Sequence, residues 1–391
     1  MGTAKASAFA GMTVVDADTH FSEPGDLWAK RASASWRERV PQVREHNGAR
    51  FWFFDGKPMQ PAAAASVIGH GGKKLNGAEY LKISIDDVDP ACNQVAPRLR
   101  YMDEMGVDAQ IVYCNLLGFG GARAFQLPED LRLLSTQIYN DAMVELQEES
   151  GNRLFPMALL PWWDAEASAV EIGRCHKMGL RGVNTNPDPH LLGLPDLSDE
   201  CWNPIWEAAT ATNLPINFHI GASDSSLTWF GDSPWPSFTP DLKLAMGSSM
   251  IYLSNAKVIG NIIYSGLLNK FPKLKFVSVE SGIGWIPFVL EALDYQLTET
   301  APGAMSYLTM KPSEYFRRNF YSSFWFERES LKPMIERVGV DNVMFQTDFP
   351  HATCLFPDPL KSAAAGLAAA STEFRRKVIG KNAVDLYNLP F

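Results

Sequence analysis

Apolar and polar positions along this chain follow two periods, and the two alternate. Val14 and Val15 open a run in which polar side chains take every second place, Asp16, Asp18 and His20, before Pro24 ends it. A strand puts residues i and i+2 on one face, so the pattern predicts a first strand with those three side chains on a shared face. Short apolar runs of strand length recur at 109–114, 154–160, 180–184, 214–219, 273–280, 319–324 and 342–347. Between them apolar residues return at helical spacing, as at Leu99, Met102 and Met105 ahead of Gly106. Further helices are predicted over 128–150, 165–178 with Gly179 as its stop, 201–212, 285–297 and 331–338, and two more close the chain. Eight strand-then-helix units with short junctions imply parallel strands joined by right-handed crossovers. The expected fold is α/β, a (β/α)8 TIM barrel; an open doubly wound sheet is the alternative.

Two stretches break the rhythm. Residues 25–95 show no clean period and read as an excursion between the first strand and its helix, within one domain spanning 1–391. Inside it, Arg50-Phe51-Trp52-Phe53-Phe54-Asp55-Gly56-Lys57 predicts a small hairpin turning at Asp-Gly, and the Ala- and Gly-rich residues 61–78 an exposed loop. A shorter interruption at 221–250 is loop-like and aromatic, with Trp229, Phe230 and Trp235, and is a candidate lid or an interface loop. Gly118-Phe119-Gly120-Gly121 lacks the spacing of a dinucleotide-binding turn, and Val279 ahead of Glu280-Ser281-Gly282 excludes a nucleophile elbow.

Composition narrows the class. With 46% apolar residues among 391, the chain can bury a large core, and 11 Trp with 23 Phe suit aromatic-walled pockets or a subunit interface. A formal net charge of -9 without a basic run argues against nucleic acid as partner. Cys92, Cys114, Cys175, Cys201 and Cys354 are an odd, dispersed set that reads as reduced thiols in the cytoplasm. Residues 1–13 hold no apolar run of signal-peptide length, and no stretch reaches the roughly 18 apolar residues of a membrane span.

The chemistry collects at strand ends. The first strand ends in Asp18 and His20, the fifth in His219, the sixth in Glu280 and the eighth in Asp348. Any one of them alone suits a capped turn or a satisfied polar residue. Together, on the rim where barrel enzymes keep their active sites, they predict a metal centre. Two imidazoles with carboxylate oxygens suit Zn, Mn or Fe. Three ionised acids around one divalent ion leave the cluster negative, so either Glu280 is an acid/base group of raised pKa or a second ion sits beside the first. Glu23, Glu280 and His351 are the candidate ligands of that second ion. Asn115, Asn184 and Trp325, at the ends of the second, fourth and seventh strands, are candidate substrate contacts. His46, His70, His176 and His190 lie off the strand ends and are expected to bind no metal.

Asp18-Thr19-His20 with Glu23-Pro24, His219, Val279-Glu280-Ser281-Gly282 with Trp285 and Pro287, and Thr347-Asp348-Phe349-Pro350-His351 resemble the amidohydrolase superfamily. The resemblance is to the branch that holds aminocarboxymuconate-semialdehyde decarboxylase and the resorcylate decarboxylases. It implies a distorted (β/α)8 barrel with metal ligands Asp18, His20, His219 and Asp348. It also implies a hydrolase or decarboxylase acting on a small carboxylated substrate; metal chemistry adds the expected mechanism, a metal-bound water whose proton Asp348 accepts and Glu280 shuttles, which makes Asp348 and Glu280 the candidate catalytic groups. Two positions depart from the decarboxylase pattern: Asp18 stands where His is common, and Glu280 where some members carry a catalytic His. A few proteins resembling this branch are dinuclear Fe or Mn oxygenases working beside a related subunit, which implies a second enzyme reading. A non-catalytic metal-binding subunit is the alternative from outside enzymes. The expected assembly is a homo-oligomer, or a hetero-oligomer with a related subunit.

Overall fold

Nine short parallel strands carry the frame of the chain, seen in a computed structural model that describes residues 8–391 apart from 64–65, 78, 80–82 and 232. Residues 1–7 of the apolar-poor N-terminal stretch and part of the loop predicted at 61–78 lie outside the described residues. After β1 (Val15–His20) the excursion forms β2 (Gln42–His46), β3 (Ala49–Phe54) and β4 (Lys57–Pro61), an antiparallel sheet, and the small pair β5 (Ile68–Gly69) and β6 (Lys73–Lys74). The frame then continues with β7 (Ala109–Tyr113), β8 (Leu154–Pro156), β9 (Ala158–Leu159), β10 (Val183–Asn184), β11 (Ile216–His219), β12 (Phe276–Val279), β13 (Phe320–Phe324) and β14 (Val343–Phe345). Helices cross between successive strands, among them Val95–Met105, Glu129–Glu149, Ala165–Met178, Asn203–Thr212, Ile286–Thr300 and Leu331–Val338. The fold is mixed α/β.

The strands make two parallel sheets, ordered β1-β7-β8 and β14-β13-β12-β11-β10-β9. Two seams join them. At the first, the N–H of Met157 donates to Val112 (2.9 Å) and that of Ala158 to Gly182 (3.0 Å), so the run predicted at 154–160 changes partner at one residue. At the second, Asp348 N–H donates to the Asp18 carbonyl (2.9 Å), His20 N–H donates to that of Phe349 (2.7 Å), and Thr19 bridges Phe349 in parallel.

Strand alternation builds an inner core from Val15, Ala17, Ile111, Tyr113, Phe155, Val277, Val279 and Met344. The C-terminal helix Asn382–Tyr387 packs onto it, and the Tyr387 hydroxyl donates to Asn217 Oδ1 (2.8 Å). A larger cluster fills the space between strands and helices and takes in Trp28, Trp52 and Val67 of the excursion. Trp28 Nε1–H donates to the carbonyl of Ser135 in the helix Glu129–Glu149 (2.8 Å), which anchors the excursion there.

The simple period of β1 does not survive folding. Its register shifts between Asp16 and Thr19. Asp16 therefore does not share its surroundings with Asp18 and His20: it accepts from Thr347 N–H (2.8 Å), Thr347 Oγ1 (2.5 Å) and Gln110 Nε2 (3.3 Å). It is a buried bracket between β1, β7 and the end of β14, and burial pushes its pKa up to about 7. The structure also adds elements the periodicity does not predict, the helices Leu27–Arg31, Pro240–Met250, Ser254–Tyr264 and Pro312–Asn319. The hairpin at Asp55-Gly56 is present. A second one turns at Asn47-Gly48, both residues having positive φ (51° and 76°), as a two-residue hairpin turn requires. No helix among the described residues is long and apolar enough to cross a membrane.

Candidate metal centre

Two backbone turns aim the acids. Val277 and Val279 face the inner core, so strict alternation would send Glu280 the other way. Asp348 takes φ +60°, in the left-handed region that Asp tolerates, and Glu280 takes φ +56°, in the same region, which residues other than Gly, Asn and Asp seldom adopt. Such strain is held in place only by its surroundings and collects at functional sites. Here it brings Glu280 Oε2 to 3.6 Å from His219 Nε2, and Asp348 Oδ1 to 3.7 Å from His20 Nε2.

The convergence is tight. Asp18, His20, His219 and Glu280 form one group of facing ligand atoms, and His20, Glu280, Asp348 and His351 a second; within each group the atoms lie within 4.8 Å of one another. Asp18 Oδ1 is 3.5 Å from His219 Nε2 and 3.6 Å from His20 Nε2, and the two imidazole Nε2 atoms are 3.2 Å apart. His219 Nδ1–H donates to the Ile220 carbonyl (2.6 Å), which leaves its Nε2 lone pair facing the cluster. His351 stacks on His20 with centroids 3.7 Å apart; its Nε2 meets Asn115 Oδ1 at 2.9 Å and its Nδ1 meets Asp348 Oδ1 at 2.8 Å.

These groups are buried, and burial sets their charges. It lowers His20, with His351 and His219 adding to the effect, and it lowers His351 to about 4; both rings are neutral and keep a lone pair to give. Burial opposes charge on His219 too, but Asp18 and Glu280 outweigh it and its net shift is upward. Burial and the neighbouring Asp348 push Glu280 well above the usual carboxylate range, and burial and Asp18 do the same to Asp348. Both oxygens of Asp18 are buried without a hydrogen-bond partner among the described residues. Unpaired carboxylate oxygens in a protein interior are costly unless a cation meets them. Lone pairs that converge from neutral imidazoles, together with orphaned carboxylate oxygens, fit a divalent cation.

Above this cluster opens a cavity of about 500 Å³ with Glu280, Asp348 and His351 among its lining residues. Phe119 forms one wall, its ring 4.3 Å from that of His219 and 5.0 Å from that of His20. Residues of the interruption at 221–250 form another, with Leu227, Phe230, Leu244 and Ser248. Asn115 lines the cavity as predicted from its strand end, but Asn184 and Trp325 do not. Asn184 is buried, its amide without a hydrogen-bond partner among the described residues, and Trp325 is buried behind the cavity-lining Tyr252 (5.7 Å). Glu23 is not part of either ligand group: its Oε1 accepts from the N–H groups of Asn115 (2.7 Å) and Leu116 (3.1 Å), holding the turn after β7. His46 packs edge-on to Phe51, and His70 Nε2 meets the Asp86 carbonyl (2.9 Å), both within the excursion. The pattern along the chain gave no sign of Phe119, Arg123 and Tyr252. They come from a turn and a helix end rather than from strand ends.

A parallel α/β frame with His and carboxylate side chains gathered at the ends of its strands is the arrangement of a metal-dependent enzyme. The amidohydrolase family matches residues 15–389, and the chain belongs to that family. Gamma-resorcylate decarboxylase of Polaromonas sp. (strain JS666 / ATCC BAA-500) is 27% identical over 308 residues, covering 75% of this chain and 86% of that protein. Among solved structures, an amidohydrolase from Mycobacterium avium subsp. paratuberculosis K-10 superposes with a TM-score of 0.72 at 20% identity, covering 96% of this chain and 99% of the other. Dihydroxybenzoic acid decarboxylase from Polaromonas sp. JS666, with bound manganese and the inhibitor 2-nitroresorcinol, does so with a TM-score of 0.60 at 20% identity, covering 96% and 97%. The structural likenesses concern the fold.

Proposed function

We propose that this chain is a decarboxylase of small carboxylated aromatic compounds that works with one divalent ion, manganese by preference, held by Asp18, His20, His219 and Asp348. The observation that carries the reading is the buried meeting of two ligand groups beneath an aromatic-walled cavity: Asp18, His20 and His219 belong to one, Asp348 to the other, and His20 and Glu280 to both. The ion would supply a fixed positive charge and Lewis acidity for a substrate carboxylate. One ion is favoured over two because both ligand groups draw on His20, whose Nε2 has a single lone pair to give.

The chain's own residues do the rest. Phe119 on one side and Phe230 and Tyr252 on others give flat apolar faces for a ring. Glu280, buried beside Asp348, holds a proton at its carboxyl group and delivers it to the ring carbon that bears the leaving carboxylate. That carbon gains a C–H bond, the C–C bond breaks, and its electron pair returns to the ring as carbon dioxide leaves. The departure of this chain from the His of related decarboxylases is therefore chemically tolerable: a neutral carboxylic acid donates where a carboxylate cannot. His351, held by Asn115, keeps Asp348 oriented. The same reading takes the two sheets as one distorted (β/α)8 barrel in one domain over 1–391, supported by the hydrogen bonds of both seams. It takes the chain as self-associating, supported by Phe288 and Tyr295, which the helix Ile286–Thr300 leaves 74% and 61% exposed.

The test is carbon dioxide release from 2,6-dihydroxybenzoate and 5-carboxyvanillate by the purified chain, with manganese and after its removal. Release that depends on manganese supports the reading. Hydrolysis of ester or amide analogues with no carbon dioxide from any carboxylate would replace it with a hydrolase.

A further inference from the structure

The Gly118-Phe119-Gly120-Gly121 turn, which matches no nucleotide motif, has a different use. Gly118 and Gly121 take positive φ (84° and 76°), and Gly120 lies so close to its neighbours that an added Cβ would stand 2.6 Å from the Thr185 carbonyl oxygen and 2.8 Å from Ala222 Cβ. The turn is thus wedged between the end of β10 and the start of the 221–250 segment, and it launches the short helix Ala122–Gln126 at the cavity edge. Arg123 is the one Lys or Arg among the described residues lining that cavity. It also lines a smaller adjoining space of about 100 Å³, which shares Asn115 and Phe119 with the cavity and reaches Gln60 and Trp52 of the excursion.

Arg123 Nη1–H donates to Gln60 Oε1, which brings the excursion to the active site and fixes the side chain. No other hydrogen bond or ion pair of its guanidinium is formed among the described residues. A guanidinium has five N–H donors in a rigid fork suited to a carboxylate, and it stays charged even half-buried. Burial lowers its pKa, with Cys114 and Glu23 acting the other way. Glu280 and Asp348 face the histidines, exposed Asp224 forms no ion pair with Arg123, and Glu23 in the adjoining space is turned to the N–H groups of Asn115 and Leu116.

We propose that Arg123 binds a second carboxylate of the substrate, so that the preferred substrate is an aromatic dicarboxylate with one acid at the metal centre and the other on Arg123. This rests on the reading of the site as a metal-dependent decarboxylase. Phe119, packed against the His219 and His20 rings and lining the cavity together with Arg123, supplies the face along which the ring spans the two. Arg123 is a specificity residue and takes no part in the proton transfer.

Calorimetric binding of benzoate and of benzene-1,3-dicarboxylate to the manganese-loaded chain tests this, with Arg123→Met, Arg123→Lys and Gln60→Leu as variants. The dicarboxylate should bind wild type at least roughly tenfold more tightly than benzoate, as a charge-assisted bidentate contact implies. Arg123→Met should remove that advantage and leave benzoate within about twofold, Arg123→Lys should keep part of it, and Gln60→Leu should keep most of it. Equal binding of the two compounds by wild type, no binding of the dicarboxylate, or equal losses for both compounds in Arg123→Met would overturn the proposal. Repeating the titrations after manganese removal separates the two claims. Benzoate binding that ignores the metal counts against the metal-centre reading, while an Arg123-dependent dicarboxylate preference would still stand.

Discussion

Arg98 offers a quantitative check on how the strand that carries Asp18 and His20 is held. It is fully buried in the helix Val95–Met105 and donates to three acceptors: the Ala91 carbonyl (2.5 Å), the His20 carbonyl (2.6 Å) and Gln110 Oε1 (3.0 Å). Its guanidinium also lies over the Phe349 ring, 4.5 Å from the centroid. It thereby ties the excursion, β1, β7 and the loop after Asp348 to one side chain. Arg98→Met keeps the length and removes every donor. Each hydrogen bond from a charged donor contributes about 1.5–3 kcal/mol net, so three contribute roughly 4.5–9 kcal/mol. Against this stands the cost of burying the charge. Burial pushes the Arg98 guanidinium down to about 10, which at about 1.4 kcal/mol per tenfold offsets roughly 3 kcal/mol. A net loss of about 1.5–6 kcal/mol is left, and its middle, about 3–4 kcal/mol, lies in the range for breaking a buried polar cluster. At about 2 cal/mol/K per residue, a chain of 391 residues should melt roughly 4 °C lower. Thermal unfolding of the metal-free protein followed by circular dichroism reads this directly, because bound metal would add its own stabilisation. A midpoint within about 1 °C of wild type would refute the reasoning and show that water or a relaxed backbone replaces Arg98 at little cost.

Other expectations are narrower. Glu280→Gln should keep manganese at one ion per chain and lower turnover about 10²–10⁴-fold, since Gln is nearly isosteric but holds no transferable proton; loss of an ion would make Glu280 a ligand instead. Glu23→Ala strands two backbone N–H groups and should destabilise by about 2–4 kcal/mol in denaturant titration while the metal content measured by elemental analysis stays unchanged. Gly120→Ala drives a Cβ into the Thr185 carbonyl and should cut turnover more than it cuts metal content; wild-type turnover would mean that the turn can shift freely.

How far the sequence displays this molecule depends on what backbone geometry adds. The apolar runs ending in His219 and Glu280 were legible because a buried parallel strand reads as a short continuous run and its end is conspicuous when it carries chemistry. The grouping of Asp16 with Asp18 and His20 was not, because one register shift inside β1 turns Asp16 towards Thr347 instead. Trp325 and Asn184 sit at strand ends like His20 and His219, yet no pattern says which way a side chain leaves the rim. The helix Pro240–Met250 buries only Gly247, so it leaves no apolar stripe to read. Arg123 was silent for a different reason. Its position follows from two positive-φ glycines and a close approach to Thr185, none of which has a periodic signature. The comparison that matches residues 15–389 to the amidohydrolase family agrees with the resemblance drawn from the strand-end motifs.

The most direct test of the central claim is an anomalous difference map from crystals of this chain grown with manganese. The account predicts a single strong peak within about 2.0–2.3 Å of donor atoms from Asp18, His20, His219 and Asp348, with Glu280 outside the ligand set. A peak elsewhere, two peaks within the cluster, or none at this position would contradict it.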